Sequence, residues 1–118
     1  IKIIGDLPIY VATHSADTWQ NPKLFCFDKH LKIKSVAGCP PDYFSKTGQL
    51  WGNVLYDWKE LERTNYSWWI NRVKHSFLLY DILRLDHFRG FASYWAIRYG
   101  DKTAISGKKD LDIHFLKN

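Results

Sequence analysis

Arg84 and Asp86 stand two residues apart at the end of an apolar run. The alternation over residues 81–86 predicts a strand with Arg84 and Asp86 on one face and Leu83 and Leu85 on the other. A guanidinium so close to a carboxylate favours its ionised form, which is the form that acts as a nucleophile. The pair therefore indicates a strand end that opens onto a site for covalent chemistry.

A structural ion pair is the alternative interpretation of Arg84 and Asp86. Ion pairs are common in folded proteins, whereas active sites are few. Burying two charges costs free energy unless they pair with each other or serve a ligand, and a strand that ends in them fits both cases. These two residues alone leave both interpretations open.

Two strands and one helix are predicted to position the pair. Residues 2–6 read as a short buried strand ending in the carboxylate of Asp6, and residues 81–86 as a second strand. Between them, the clearest helix covers residues 66–80, with Asn65 as its N-cap. Its apolar stripe follows helical spacing and consists of Tyr66, Trp69, Ile70, Val73, Phe77 and Tyr80. This order predicts an α/β arrangement, with a helical crossover between two parallel strands.

Residues 7–64 form a long excursion between the first strand and the helix. Within it, residues 15–19 predict a helical turn, and residues 24–27 with 33–36 predict a hairpin. Irregular connections above about 15 residues are uncommon in compact domains and tend to be lids or binding loops. After the second strand, residues 91–99 are predicted to form a short helical segment.

Charge and hydropathy argue against two classes of partner. The net charge of +5 over 118 residues comes from scattered basic residues without a basic helical stripe, so no nucleic-acid partner is expected. No apolar run approaches the roughly 20 residues that cross a bilayer, so no membrane partner is expected.

The cysteines and histidines suggest neither a metal nor a disulfide framework. Cys26 and Cys39 stand thirteen positions apart without zinc-ligand spacing, and they are too few to staple a small secreted fold. We expect both to be reduced in an intracellular protein, with a disulfide between them as the alternative. The spacing also indicates no metal site, because histidine and cysteine ligands are not clustered at metal spacing.

Four blocks in one register resemble the 4-alpha-glucanotransferase family, the amylomaltases or disproportionating enzymes of glycoside hydrolase family 77. They are GDLPIYV with SADTW in residues 5–19, PPDYFS with TGQLWGN in 40–53, LYDW in 55–58, and RLDHFRGF with YWAI in 84–97. The resemblance covers about residues 3–106. Four ordered blocks make it specific, whereas a single block would have been weak.

The resemblance implies that the chain is a fragment of a (β/α)8 TIM-type barrel. About two strands, a long inserted active-site loop and one crossover helix are present, since such barrels typically need about 250 residues. Residues 1–107 are then a partial catalytic barrel segment, and residues 108–118 are a divergent tail. The first residue is an isoleucine and the sequence contains no methionine, which also indicates a piece of a longer protein.

The resemblance implies a retaining double displacement in which Asp86 is the catalytic nucleophile. Arg84 and His87 line the subsite that holds the cleaved glucose, and Asp6 contacts the substrate there. The family's acid/base glutamate and stabilising aspartate match no residue of this chain, so these residues alone are expected to be inactive. The plainer interpretations are a hydrogen-bonded histidine at a strand end for His87, and a cap for Asp6.

Tyr43, Phe44, Gln49 and Trp51 match the family's substrate-covering loop and are expected to bind substrate. Aromatic rings stack on the apolar faces of glucose, and the Gln49 amide offers hydrogen bonds. A site covered in this way favours transfer to a sugar hydroxyl over attack by water. The plainer interpretation of Trp51 is a core tryptophan.

The resemblance thus implies transfer of α-1,4-glucan segments between malto-oligosaccharides or between glucans derived from starch or glycogen. It also implies a reaction that needs no metal and no organic cofactor. An α-amylase-type hydrolase and a non-catalytic glucan-binding or decayed fragment are the alternatives. The expected location is the cytoplasm, or the plastid stroma in a plant or alga, because Thr13 and His14 are similar to plant-type members.

Overall fold

The computed structural model describes residues 1–111 as a mixed α/β structure. The strands are β1 (Ile4–Leu7), β2 (Ser35–Cys39), β3 (Gln49–Val54), β4 (Ile82–Leu85), β5 (Ser93–Arg98) and β6 (Lys108–Leu111). The helices are α1 (Ala16–Gln20), α2 (Trp58–Arg63) and α3 (Ser67–Leu79), with 3-10 turns at Pro22–Leu24 and Phe88–Phe91. Strands β1 and β4 form one sheet, and a second sheet has the order β3-β2-β5-β6.

The predicted parallel pair with a helical crossover is confirmed. β1 and β4 run parallel, with Asp6 opposite Arg84, and α3 precedes β4 in the chain and contacts both strands. Leu83 and Leu85 pack against the core, whereas Arg84 on the alternate face is exposed. The period of two along residues 81–86 therefore orients the strand as predicted.

Helix α3 does not start as predicted. Its N-cap is Tyr66, which has a left-handed backbone at φ 55° and makes no side-chain capping hydrogen bond. Asn65 as the N-cap is therefore wrong. Asn65 is itself left-handed at φ 52°, and its N–H donates to the Glu62 carbonyl at 2.9 Å, which ties it to the end of α2.

The buried face of α3 is rotated from the predicted apolar stripe. Trp69 is buried, but Ile70 and Phe77 are 48% and 54% exposed. Arg72, which lies outside the predicted stripe, is half-buried, and Ser76 is buried. Positions 69, 72 and 76 keep helical spacing on a different face, because the elements that α3 packs against decide which face is covered.

The helical segment predicted for residues 91–99 is wrong. Residues 93–98 are strand β5, which pairs antiparallel with β2 on one side and β6 on the other. Tyr94, Trp95 and Ile97 are residue types that favour strands. Their partners on β2 lie far away in the sequence, so a local pattern does not reveal this pairing.

The predicted helical turn in the long excursion is confirmed, and the hairpin forms only in part. Ser15 caps α1, since its hydroxyl accepts from the Thr18 N–H at 3.4 Å. The hairpin has one bridge, between Phe27 and Ile33. Its outer residues pair elsewhere: Phe25 bridges to Tyr56, and residues 35–39 join the antiparallel sheet.

An aromatic core joins the two sheets and the helices. Tyr56 lies at its centre, 1% exposed, and contacts Tyr10, Phe25, Trp58, Trp68 and Trp69. The Tyr56 hydroxyl donates to the Ile9 carbonyl at 2.5 Å. Cys26 and Cys39 are both free thiols. Along residues 1–111, no helix has the length and apolar character needed to span a bilayer.

Candidate active site

The parallel pairing of β1 and β4 places two carboxylates at one edge of the sheet. Asp6 lies opposite Arg84 in the register, and the Asp86 N–H continues the ladder by donating to the Leu7 carbonyl at 3.1 Å. Both chains run in the same direction, so Asp6 and Asp86 stand near the carboxyl ends of neighbouring strands. In α/β structures this edge is where ligands usually bind.

Arg84 joins the two carboxylates through one guanidinium. Nη1 donates to Asp6 Oδ1 at 2.8 Å, and Nη2 donates to Asp86 Oδ1 at 3.0 Å. The Arg84 side chain is 61% exposed, and those of Asp6 and Asp86 are 58% and 52% exposed. Among the described residues, Asp86 Oδ2 accepts no hydrogen bond, so Arg84 engages only one oxygen of that carboxylate.

His87 is held beside Asp86 by an unusual backbone. It is left-handed at φ 49°, and its carbonyl accepts from the Gly90 N–H at 2.8 Å. A Cβ at position 90 would lie 2.9 Å from His87 Cδ2 and 2.6 Å from Ile9 Cδ1. Only glycine therefore leaves room for the imidazole and the Ile9 side chain together.

The imidazole of His87 lies edge-on to an indole and has little positive charge near neutral pH. Its ring centroid is 5.0 Å from that of Trp51 and 6.5 Å from that of Tyr10. Burial lowers the pKa of His87, with Asp86 opposing and Arg89 adding to the effect. A neutral imidazole offers one donor and one acceptor, which suits hydrogen bonding to a hydroxyl group.

Asp86 and His87 line a cavity of about 220 Å³. Its lining consists of Pro8, Ile9, Tyr10, Trp51, Asn53, Asp86 and His87. Tyr10 and Asn53 were not predicted as site residues. Two signals pointed to them: Tyr10 belongs to the GDLPIYV block, and Asn53 stands two positions after Trp51, hence on the same face of β3.

Side-chain hydrogen bonds fix the position of Asn53 and Gln49 around the cavity. Asn53 Nδ2 donates to the Val11 carbonyl at 3.0 Å, which ties β3 to the segment after β1. Trp51 Nε1 donates to Gln49 Oε1 at 3.0 Å. Trp51 is 36% exposed, so the core-tryptophan interpretation does not hold for it.

Tyr43 and Phe44 stand apart from the cavity on an exposed loop. They are 96% and 93% exposed, and their rings meet edge to face at 5.6 Å. The loop is built on Asp42, whose Oδ1 accepts from the N–H groups of Phe44 at 2.9 Å and Ser45 at 2.7 Å. The structure thus brings Asp6, Arg84, Asp86, His87 and Trp51 together, with Gln49 alongside, and leaves this aromatic pair outside.

A larger groove of about 790 Å³ lies elsewhere, between the region of α1 and residues 27–33. It contains none of the predicted site residues. The small cavity is the one whose walls carry the Asp86 carboxylate, the His87 imidazole and the exposed Trp51 indole. Within residues 1–111, no three histidine, cysteine or carboxylate side chains come together as a metal site.

Comparison with known families identifies one family, whose model covers all of the described residues. The family model of the 4-alpha-glucanotransferases, glycoside hydrolase family 77, matches residues 1–111. The chain belongs to this family. The match includes residues 108–111 of the predicted tail, and the tail's residues 112–118 lie outside the described residues.

Individual relatives of this glycoside hydrolase family 77 chain come from bacteria and plants. It is 61% identical over 109 residues to a 4-alpha-glucanotransferase of Clostridium butyricum, covering 92% of this chain and 22% of the relative. It is 53% identical over 108 residues to a chloroplastic/amyloplastic 4-alpha-glucanotransferase of Arabidopsis thaliana, covering 92% of this chain and 19% of the relative. The chain spans about a fifth of the length of these relatives.

A solved family structure superposes closely. The amylomaltase from Streptococcus agalactiae, in complex with acarbose, matches with a TM-score of 0.90 and 44% identity over 94% of this chain and 22% of that one. An amylomaltase from Corynebacterium glutamicum matches with a TM-score of 0.80 and 19% identity, over 92% of this chain and 14% of that one. The second match shows the fold alone.

Proposed function

We propose that these residues are the nucleophile-bearing part of a 4-alpha-glucanotransferase whose catalytic domain is a (β/α)8 barrel. The parallel β1-β4 pair with α3 between them is one repeat of such a barrel. The strands of the antiparallel sheet are then two insertions, with β2 and β3 following β1 and β5 and β6 following β4. Active sites of these barrels lie at the carboxyl ends of the strands, where Asp6 and Asp86 stand.

The observation that carries the proposal is the single guanidinium that holds Asp6 and Asp86 beside the cavity. A structural ion pair needs only one carboxylate, whereas Arg84 holds two and engages only Oδ1 of Asp86. A retaining glycosyl transfer needs an ionised, aimed carboxylate that can reach the anomeric carbon. Asp86 meets that need.

The reaction then proceeds in two displacements. In the first, Asp86 attacks the anomeric carbon of a bound glucan, the bond to the leaving sugar oxygen breaks, and a glucosyl ester forms. In the second, the 4-hydroxyl of an acceptor glucan attacks the same carbon and releases Asp86. Proton transfer to the leaving oxygen and from the acceptor is assigned to a glutamate that the resemblance places outside these 118 residues.

The cavity is proposed as the subsite for the glucose unit that becomes attached to Asp86. His87 in its neutral form binds a sugar hydroxyl, and Arg84 and Asp6 bind the ring on the other side. Trp51 supplies an apolar surface for the ring, with Gln49 adding an amide next to it. The complex of the Streptococcus agalactiae amylomaltase with acarbose, an oligosaccharide analogue, supports an α-glucan as substrate.

Tyr43 and Phe44 are proposed to cover the glucan once it is bound. Two aromatic rings more than nine-tenths exposed are costly to keep in water, and they gain from packing on sugar rings. Excluding water at that moment favours the acceptor hydroxyl, so transfer wins over hydrolysis.

The location follows from the host of the parent protein. Several plant relatives are named chloroplastic/amyloplastic. We place the parent protein in the plastid stroma if the host is a plant or alga, and in the cytoplasm otherwise.

Incubation of the full-length protein with maltotriose tests the proposal. Transfer produces glucose together with chains longer than maltotriose, which thin-layer or anion-exchange chromatography resolves. Glucose and maltose without longer chains would assign the protein to the hydrolases. No product at all would reject the enzymatic function.

The role of Asp86 is tested with a matched pair of variants. Asp86→Asn is expected to abolish transfer while maltotriose binding, measured by calorimetry, stays close to that of the unmodified protein. Asp81→Asn is the control at the other end of the same strand, where an amide oxygen can still accept from the Ile3 N–H. Retained turnover in Asp86→Asn would refute the nucleophile assignment.

A further inference from the structure

The carbonyl of Ile9 receives two hydrogen bonds from side chains far away in the sequence. The buried Tyr56 hydroxyl donates at 2.5 Å, and Arg72 Nη1 on α3 donates at 3.3 Å. Ile9 belongs to the wall of the 220 Å³ cavity, two residues after the end of β1. One backbone atom of the cavity wall is thus held from the core and from the helix at once.

The guanidinium of Arg72 is set between aromatic rings. It lies 5.3 Å from the Trp68 ring centroid and 4.8 Å from the Trp69 ring centroid. Burial lowers the pKa of Arg72 from its ordinary value. Among the described residues, no carboxylate oxygen lies within 4 Å of this guanidinium. The Ile9 carbonyl, the two indole faces and the more distant charge of Asp17 compensate for its partial loss of water.

Packing alone does not require a charge at position 72. A methionine fills a comparable space without the cost of desolvating a guanidinium, and it tolerates irregular surroundings. What a methionine lacks is the N–H donor that reaches Ile9. The structure therefore ties the presence of an arginine to the hydrogen bond at the cavity wall.

The side chain of Ile9 carries this constraint to the catalytic edge. A Cβ at position 90 would lie 2.6 Å from Ile9 Cδ1 and 2.9 Å from His87 Cδ2, so Ile9 and His87 both press against Gly90. A shift of the Ile9 backbone therefore moves the surface on which His87 rests. It also moves Tyr10, whose ring faces Trp51 at 6.3 Å.

We propose that Arg72, together with Tyr56, is a positioning residue that holds the Pro8–Tyr10 wall and thereby sets the place of His87 relative to Asp86. This inference rests on the proposed function of the cavity. Arg72 itself touches no reacting atom. It acts through the Ile9 carbonyl, and its effect is on the geometry of the bound sugar.

The kinetic test uses the full-length protein and maltotriose. Arg72→Met is expected to lower kcat by about tenfold with KM little changed, because misplacement of a reacting group acts on the transition state more than on binding. Arg72→Lys keeps a charged donor without the planar fork and is expected to recover activity to within about threefold of the unmodified protein. Arg63→Met is the matched control, since Arg63 pairs with Glu60 on the surface of α2.

Tyr56→Phe and the double variant test whether both side chains act through one atom. Removing either donor should lower kcat. The double variant should lower kcat by less than the product of the two single fold-changes, because both donors share the Ile9 carbonyl. Independent effects, or a kcat for Arg72→Met equal to that of Arg63→Met, would overturn the proposal.

Hydrogen exchange separates a failure of this inference from a failure of the proposed function. Peptides covering residues 7–13 are expected to exchange faster in Arg72→Met and Tyr56→Phe than in Arg63→Met, whether or not the protein transfers glucans. Unchanged exchange there would reject the positioning role. Absence of transfer in the unmodified protein would reject the enzymatic function and leave the exchange result to decide the role of Arg72.

Discussion

Replacing Arg84 with methionine separates what this guanidinium does for stability from what it does for activity. Arg84 makes two ion pairs, at 2.8 Å with Asp6 and 3.0 Å with Asp86. All three side chains are more than half exposed, and exposed pairs contribute about 0.2–1 kcal/mol each. The free energy of unfolding should therefore fall by less than about 2 kcal/mol, even though both pairs are lost.

The loss of activity in Arg84→Met should be far larger. Without the guanidinium, Asp6 and Asp86 keep no shared cation, and the Asp86 carboxylate is free to rotate away from its aimed position. A misplacement near 1 Å at a reacting group costs on the order of 100-fold in rate. We expect kcat/KM for maltotriose to fall by about that factor or more.

The assay pairs maltotriose turnover with thermal or urea unfolding of the same full-length samples. Arg63→Met is the control, because it removes another exposed arginine ion pair, with Glu60 at 2.6 Å, away from the cavity. It should leave kcat/KM unchanged. The reasoning is refuted if Arg84→Met keeps kcat/KM within a few fold of the control, or if it unfolds the protein outright.

Three further changes have defined outcomes. Gly90→Ala should cost about 1–3 kcal/mol of unfolding free energy and slow transfer, since its Cβ meets Ile9 and His87 below 3 Å; unchanged urea unfolding would contradict this. Leu61→Ala should cost about 2–5 kcal/mol without altering KM, because the side chain is fully buried in the core. Burial lowers the pKa of His87 in the folded protein. Just below pH 6.5 the unfolded state therefore binds more protons than the folded state, and the free energy of unfolding should fall as the pH is lowered through this range. Thermal unfolding of His87→Asn should show a weaker drop.

Sequence patterns near the carboxyl ends of β1 and β4 predicted the structure because their signals are local. The alternation over residues 81–86 determines which side chains face the core, and a charged pair at its end marks an exposed edge. Asp6 follows from the same logic at the end of β1. The helix between them is long and periodic enough to be recognised, and its existence is confirmed, although its first residue and its buried face are not.

Local sequence patterns did not predict the antiparallel sheet. Strands β2, β3 and β5 are short. β2 and β5 pair across 57 to 63 positions of sequence, and β2 and β3 pair across 10 to 18. Residues 93–98 were predicted as part of a helical segment, and pairing with residues 35–38 and 108–111 makes them a strand. Asn53 was not predicted as a site residue for the same reason, because its position depends on β3 lying beside Val11.

The sequence by itself determined the family, the α/β crossover and the identity of the charged residues, because ordered blocks and a period of two are properties of the chain. Only the tertiary structure decided that one arginine bridges both carboxylates, that the cavity wall includes Tyr10 and Asn53, and that Arg72 reaches Ile9. The contacts Arg84–Asp6, Arg72–Ile9 and Asn53–Val11 join residues 42 to 78 positions apart. Such contacts arise from packing of the whole core, and no local window contains the residues that make them.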